Sequence, residues 1–331
     1  MVKLNKTKRD LLVIDFVQFV SSPQTSAKRL RKWNSFVKHC PDNLIEEEWM
    51  RFWRGVYYIV WYEEMRKGGE EFITHISEWD NPNFILFGFK SMADFWGGID
   101  AFRIDKYMFL ARKMLIKLFK LLQDDEIKAK FDNQQVLLEH KNKAKKNVSE
   151  EINKLIETHS INAIDYILTV AVSSVGFSLH LFDIFVTELQ ANVPDIAKQT
   201  FFLIPFIKRL ALIEDDRIRT FINSKVFFPY ITSTLGKEKN IQTIRFVEQL
   251  SKITSNIASI TTNGKNRYAL YELSKFCITS LDKITKIREG KIPLKLKPTS
   301  FNRKRHRFRY EQVSSVMFPK SLKPVAFLCN P

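Results

Sequence analysis

The chain has 331 residues, with 53 Lys+Arg against 36 Asp+Glu, which gives a formal net charge of +17 at pH 7. Hydrophobic residues make up 45% and charged residues 27%, enough to build a sizeable core, so wholesale disorder is excluded. Ten Gly and eleven Pro are too few for a collagen-like chain or for the many tight turns of a β-sandwich, and 28 Phe predict a core packed with aromatic rings.

Read in chain order, nearly every segment up to residue 289 has helical period. Helices are expected over 8–20 (Leu11, Leu12, Phe16, Phe19) and 24–39, where Leu30, Trp33 and Val37 oppose Lys28, Arg29, Arg31 and Lys32. The clearest apolar stripe runs through 44–66: Trp49, Phe52, Trp53, Val56, Tyr57 and Val60. A shorter helix is expected over 70–78. The stretch 81–89 is apolar but contains Pro82 and Gly88, so the pattern does not fix its state, and 91–96 reads as a short helical turn. Asp100 stands where an N-cap belongs, ahead of a long helix to Gln123. On that helix Ile104, Met108, Leu115 and Leu122 form the apolar stripe, and Lys106, Lys113, Lys117 and Lys120 form a basic stripe expected to face solvent and to meet phosphate or an acidic partner.

Further helices are expected over 125–145, ending in the basic run with Lys141, Lys143, Lys145 and Lys146, and over 148–157 and 161–172. The longest charge-free run, 166–182, is slightly short for a bilayer span and reads as two buried helical segments meeting near Gly176. The remaining helices are 177–190, 195–212 with a kink expected at Pro205, 215–224, 226–235, 240–260 and 267–289. A dozen or so helices with short connections, and no strand alternation, predict an all-α fold: an irregular, HEAT-like α-solenoid of stacked helix pairs over 1–289.

The last 42 residues differ in kind. From Gly290 onward there are ten basic residues, one acid and five prolines, so the tail 290–331 contributes +9 of the net charge and reads as a basic arm without a core of its own. Its centre interleaves Phe301, Phe308 and Tyr310 with Arg303, Lys304, Arg305, Arg307 and Arg309. Guanidinium groups contact phosphates and stack on bases, so RNA contact is one reading and a nuclear-import signal the other; the two are compatible.

No catalytic constellation is found. Cys40, Cys277 and Cys329 lie far apart, which fits neither a metal site nor a disulfide framework and suits a reducing compartment, and the charged N-terminus does not read as a secretory signal. No glycine-rich phosphate loop occurs, and no two of the six histidines stand at metal-ligand spacing. His180 with Asp183, and the trio Asp94, Asp100 and Asp105, read more readily as structural than as catalytic or metal-binding groups. Lys225-Val226-Phe227-Phe228 matches a loose phosphatase-docking pattern but lies among apolar segments, so burial is the stronger reading.

Three stretches carry a resemblance. EEEWMRFWRGVYYIVWYEEM (Glu46 to Met65) holds Trp49, Trp53, Gly55, Tyr57, Tyr58 and Trp61. FWGGIDAFRIDKYMFLARKML (Phe95 to Leu115) holds Trp96, Gly98, Ile99, Asp100, Arg103, Asp105, Lys106 and Tyr107. VGFSLHLFDIFVTEL (Val175 to Leu189) holds Gly176, His180, Asp183, Ile184, Glu188 and Leu189. In this order the segments resemble the ribosomal RNA-processing protein 1 family, the Nop52-type nucleolar proteins, over about residues 8–230. The resemblance implies a nucleolar, non-enzymatic assembly factor without cofactor. It would act in precursor ribosomal RNA processing and large-subunit biogenesis, in contact with precursor RNA, other assembly factors and ribosomal proteins, with no membrane and no small-molecule substrate. The competing expectation is a helical-repeat protein-interaction adaptor without a specific RNA role. A nucleic-acid-modifying enzyme would need a metal or cofactor site that the sequence does not display.

Overall fold

The computed structural model describes residues 5–41, 43–65, 68–140, 161–237 and 241–289. Among them are fourteen α-helices and no strand. They are α1 (Lys6–Ser21), α2 (Ser26–His39), α3 (Glu46–Tyr62), α4 (Gly69–Ser77), α5 (Pro82–Phe95), α6 (Ile104–Leu121) and α7 (Asp125–Asp132). After a helical stretch at 135–140 come α8 (Asn162–Ala171), α9 (Val175–Asn192), α10 (Ile196–Leu212), α11 (Asp216–Phe221), α12 (Phe228–Lys237), α13 (Ile241–Ile260) and α14 (Gly264–Arg288). One compact unit extends through Asp282; of the second, Lys283–Pro331, only residues 283–289 are described, as the end of α14. No helix among the described residues is long and apolar enough to cross a membrane.

The helices form two rows. In one, α1 lies against α3, α3 against α5, α5 against α8, α8 against α10 and α10 against α13. In the other, α4 lies against α6, α6 against α9, and α9 against the segment that joins α11 to α12. This is the expected all-α arrangement of stacked helix pairs. Helix starts are set by side chains that accept otherwise unpaired backbone N–H groups: Asn5, Thr25, Asn81, Asp124, Asp195 and Asp215 all do so. Two buried ion pairs lock the first two helices onto the third. Arg9 reaches Glu48 at 3.0 Å and Arg29 reaches Glu63 at 3.3 Å.

Four sequence expectations change. The stretches 81–89 and 91–96 are one helix, α5. Pro82 occupies its first turn, where a missing N–H costs nothing, and Gly88 is retained for closeness: a Cβ there would lie 2.3 Å from the Trp53 ring and 2.4 Å from Met114 Cε. The long helix begins at Ile104 rather than Asp100, because the Asp100 carboxylate turns back to accept from the N–H groups of Phe102 and Arg103 and so caps a lead-in turn. The helix expected over 125–145 breaks at Asn133. The break expected near Lys225 is instead a π-helical segment, Ile222–Phe227. Its wider turn brings Ile222, Asn223, Val226 and Phe227 all inward, which buries the two central residues of the phosphatase-like tetrapeptide and leaves Lys225 and Phe228 half-buried. The helix expected over 148–157 lies outside the described residues, whereas the charge-free run does form two buried helices, α8 and α9, divided at 172–174.

Candidate partner and nucleic-acid interface

The first two motif segments dock onto each other. The second lays three side chains against the C-terminal end of α3. Tyr107 Oη donates to the Tyr57 carbonyl at 2.9 Å, and its ring stacks on Tyr57 with centroids 4.9 Å apart. Lys106 Nζ donates to the Trp61 and Glu63 carbonyls at 2.8 and 2.7 Å. Arg103 pairs with Asp100, and its guanidinium carbon lies 4.1 Å from the centre of the Trp61 ring. The last carbonyls of a helix have no partner within it and carry the negative end of its dipole, so a buried ammonium satisfies both needs.

Lys106 therefore corrects the sequence reading. It is only 8% exposed, not a solvent-facing member of a basic stripe. Burial, and then the neighbouring Arg103 charge, lower its pKa, against Glu63, Asp100 and Glu64, which raise it. Replacing Lys106 with Met should cost about 2–3 kcal/mol, because two carbonyls lose a charged donor. Urea unfolding measures this; a change below about 0.5 kcal/mol would place the residue outside the structural joint.

Lys117 is a second correction. Its ammonium pairs with Glu78 at 3.1 Å and Asp80 at 2.6 Å, so it is not available as free positive charge. Burial alone lowers its pKa, but Asp80 and then Glu78 reverse the direction and raise it. Of the stripe, Lys120 is exposed, and Lys113 lies half-buried with its ammonium 5.0 Å from the centre of the Phe109 ring. Lys141, Lys143, Lys145, Lys146, Arg303, Lys304, Arg305, Arg307 and Arg309 lie outside the described residues.

Of the four motif tryptophans, Trp49 and Trp53 are core, and Trp61 and Trp96 are half-buried. Trp49 stacks on Phe87, and Trp53 stacks on Phe84 at 4.6 Å while donating its N–H to the Phe84 carbonyl at 3.0 Å. The packing of α3 on the long helix is largely routed through α5, with Tyr57 on Tyr107 as the direct aromatic contact. Gly55 admits Phe16 of α1, which a Cβ would approach to 2.8 Å. Trp96 is half-buried and stacks on His180, with centroids 5.7 Å apart, above Gly176.

His180 holds a structural place: its Nε2 lies 3.1 Å from the Met108 carbonyl, which only a protonated Nε2 can satisfy as donor. Burial lowers its pKa, against the Met108 hydrogen bond, and favours this neutral ring. Asp183 pairs with Lys225 rather than with His180. Asp105 is exposed and Gly98 faces open space. No cluster of potential metal ligands occurs among the described residues.

Two features were not anticipated from the sequence. One is Phe102, 94% exposed on the turn that Asp100 caps. The other is a buried charge cluster in which Asp165 of α8 meets His140, Lys208 and Arg209. A lone acid inside an apolar helix, matched by a lone Lys-Arg pair inside another, is a signal that could have found the second.

The sequence matches the family described as nucleolar protein Nop52 over residues 15–275, further along the chain than the motifs alone reach. It is 27% identical over 225 residues to the ribosomal RNA processing protein 1 homolog of Dictyostelium discoideum, covering 64% of this chain and 44% of that protein. It is 24% identical over 222 residues to the protein of the same description from Drosophila melanogaster, covering 63% of this chain and 29% of that one. The aligned region spans less than half of either relative.

Proposed function

The chain belongs to the Nop52 family of nucleolar proteins, and from that membership we propose that it is a non-enzymatic assembly factor of the nucleolus. It acts in the processing of precursor ribosomal RNA and the maturation of the large ribosomal subunit, holding precursor RNA and other assembly factors together. The observation that carries this reading is the match over 15–275, which takes in the three motif segments and the two whose side chains form the joint between α3 and α6. The motif residues act as architecture, which suits a scaffold better than a catalyst. The same residues in an enzyme would converge on a cleft.

Depletion of the protein tests the reading. Precursors of the large-subunit RNA should accumulate, mature large subunits should fall, and the protein should sediment with large-subunit precursor particles. A defect confined to small-subunit precursors, or none, would overturn it.

The distribution of charge favours dividing the work. The cations of α6 are partly engaged by the protein itself, whereas the tail 290–331 holds +9 of the total +17. Direct RNA contact is therefore assigned to the tail and protein contact to the helical body. Each phosphate neutralised releases condensed counterions. Replacing Arg303, Lys304, Arg305, Arg307 and Arg309 with Ala should flatten the slope of log affinity against log salt by about 3–4 if each meets a phosphate of single-stranded RNA. A heterologous import signal on the variant separates RNA binding from nuclear entry. An unchanged slope and affinity would return the chain to the adaptor reading.

A further inference from the structure

We propose that the turn 97–103 is a docking plug, whose Phe102 side chain enters an apolar pocket, rimmed by basic side chains, on a protein partner. This goes beyond the role in RNA processing and does not rest on it. At 94% exposure, Phe102 is the most exposed large hydrophobic side chain among the described residues. Scattered apolar side chains on a surface are ordinary, but they usually lie flat against neighbours and keep part of their surface covered. Here almost the whole ring stands in solvent.

The turn that holds it is braced from both sides. Asp100 Oδ1 accepts from the N–H groups of Phe102 and Arg103 at 2.9 and 3.0 Å, and its other oxygen pairs with the Arg103 side chain. That guanidinium in turn lies over Trp61, which stacks on Tyr57 at 5.6 Å. Three residues further on, Lys106 is anchored to two carbonyls of α3. The backbone presenting Phe102 is thus fixed before any partner arrives, which removes much of the ordering cost of binding. The approach is clear as well: a Cβ on Gly97 or Gly98 would find no heavy atom within 4 Å. Rigid aromatic anchors of this kind dominate protein interfaces.

Charge selects the occupant. An RNA site built around an exposed ring needs free cations beside it to meet phosphates. The cations of this segment are engaged: Arg103 by Asp100 and Trp61, Lys106 by the α3 carbonyls. Asp100 and Arg103 neutralise each other in a pair whose side chains are both about a third exposed, so the uncompensated charge left facing solvent beside Phe102 is that of Asp105. A polyphosphate is repelled by such a rim, and a pocket bordered by Lys or Arg is attracted.

The test places a benzophenone-bearing phenylalanine at position 102 of the full chain in cells and identifies what it captures on irradiation. The expected product is one dominant protein, crosslinked within a peptide in which apolar residues are flanked by Lys or Arg. With that protein purified, Phe102→Ala should weaken binding about tenfold or more, and Asp105→Lys should weaken it further at low salt than at high salt. Phe102→Leu should retain part of the affinity. The melting temperature of the Phe102 variants should stay that of the parent, because the ring packs against nothing among the described residues. Capture of RNA, capture of no predominant protein, or unchanged affinity of Phe102→Ala for the captured protein would each overturn the proposal. Because depletion reads the RNA-processing role separately, either reading can fail while the other stands.

Discussion

Replacing Trp53 with Ala is expected to destabilise the helical body by about 3–5 kcal/mol. The ring is 2% exposed, stacked on Phe84, and hydrogen-bonded through its N–H to the Phe84 carbonyl. Its loss therefore combines a large cavity with the loss of a buried hydrogen bond. Gly88 supplies an internal check. Because a Cβ at that position would stand 2.3 Å from Trp53 Cζ2, Gly88→Ala should by itself cost about 1–3 kcal/mol through overpacking. In a Trp53→Phe background the clashing indole atoms are gone and only the flexible Met114 side chain has to give, so the added methyl should cost less. Urea denaturation of the two single variants and the double variant measures the coupling. Additive losses would show that Gly88 and Trp53 do not constrain each other.

This pair also shows where the sequence was legible. The stripe from Trp49 to Val60 predicts a buried helix face, and the structure buries it, because apolar period is a property of one helix alone. Gly88 reads as a breaker for the same reason: its role depends on a ring 35 positions away, which no local pattern contains. Lys106 fails similarly. Spacing places it on a basic stripe with Lys113, Lys117 and Lys120, yet its ammonium serves carbonyls at the end of α3. A lysine is assigned to the surface by default, and only the tertiary arrangement reveals an acceptor able to hold it inside. His180 and Asp183, one turn apart in the sequence, do not pair in the structure: each engages another element. The exposure of Phe102 was invisible because a phenylalanine between Ala101 and Arg103 carries no periodic signal.

The Asp165 cluster yields the second large effect and a pH dependence. Asp165 is 5% exposed; its Oδ2 accepts from Lys208 at 2.8 Å and lies 3.0 Å from His140 Nε2, and its Oδ1 accepts from Arg209 at 3.0 Å. These contacts fasten the helical stretch at 135–140 and α10 onto α8. Asp165→Ala should cost about 3–5 kcal/mol, since Lys208 would remain buried without its counter-charge. Burial by itself raises the Asp165 pKa, but the His140 hydrogen bond and the Arg209 and Lys208 charges outweigh it and hold the carboxyl far below its ordinary range. A group whose folded pKa is depressed contributes fully above its unfolded pKa, about 4, and loses that contribution as pH falls through the folded value. The parent should therefore lose stability steeply between about pH 5 and pH 2, and Asp165→Asn, already weaker at neutral pH, should lose less over the same interval. Urea midpoints measured across that range for both proteins make the comparison. Parallel curves would mean that acid unfolding is driven by other carboxylates, and that the cluster binds its helices by geometry more than by charge.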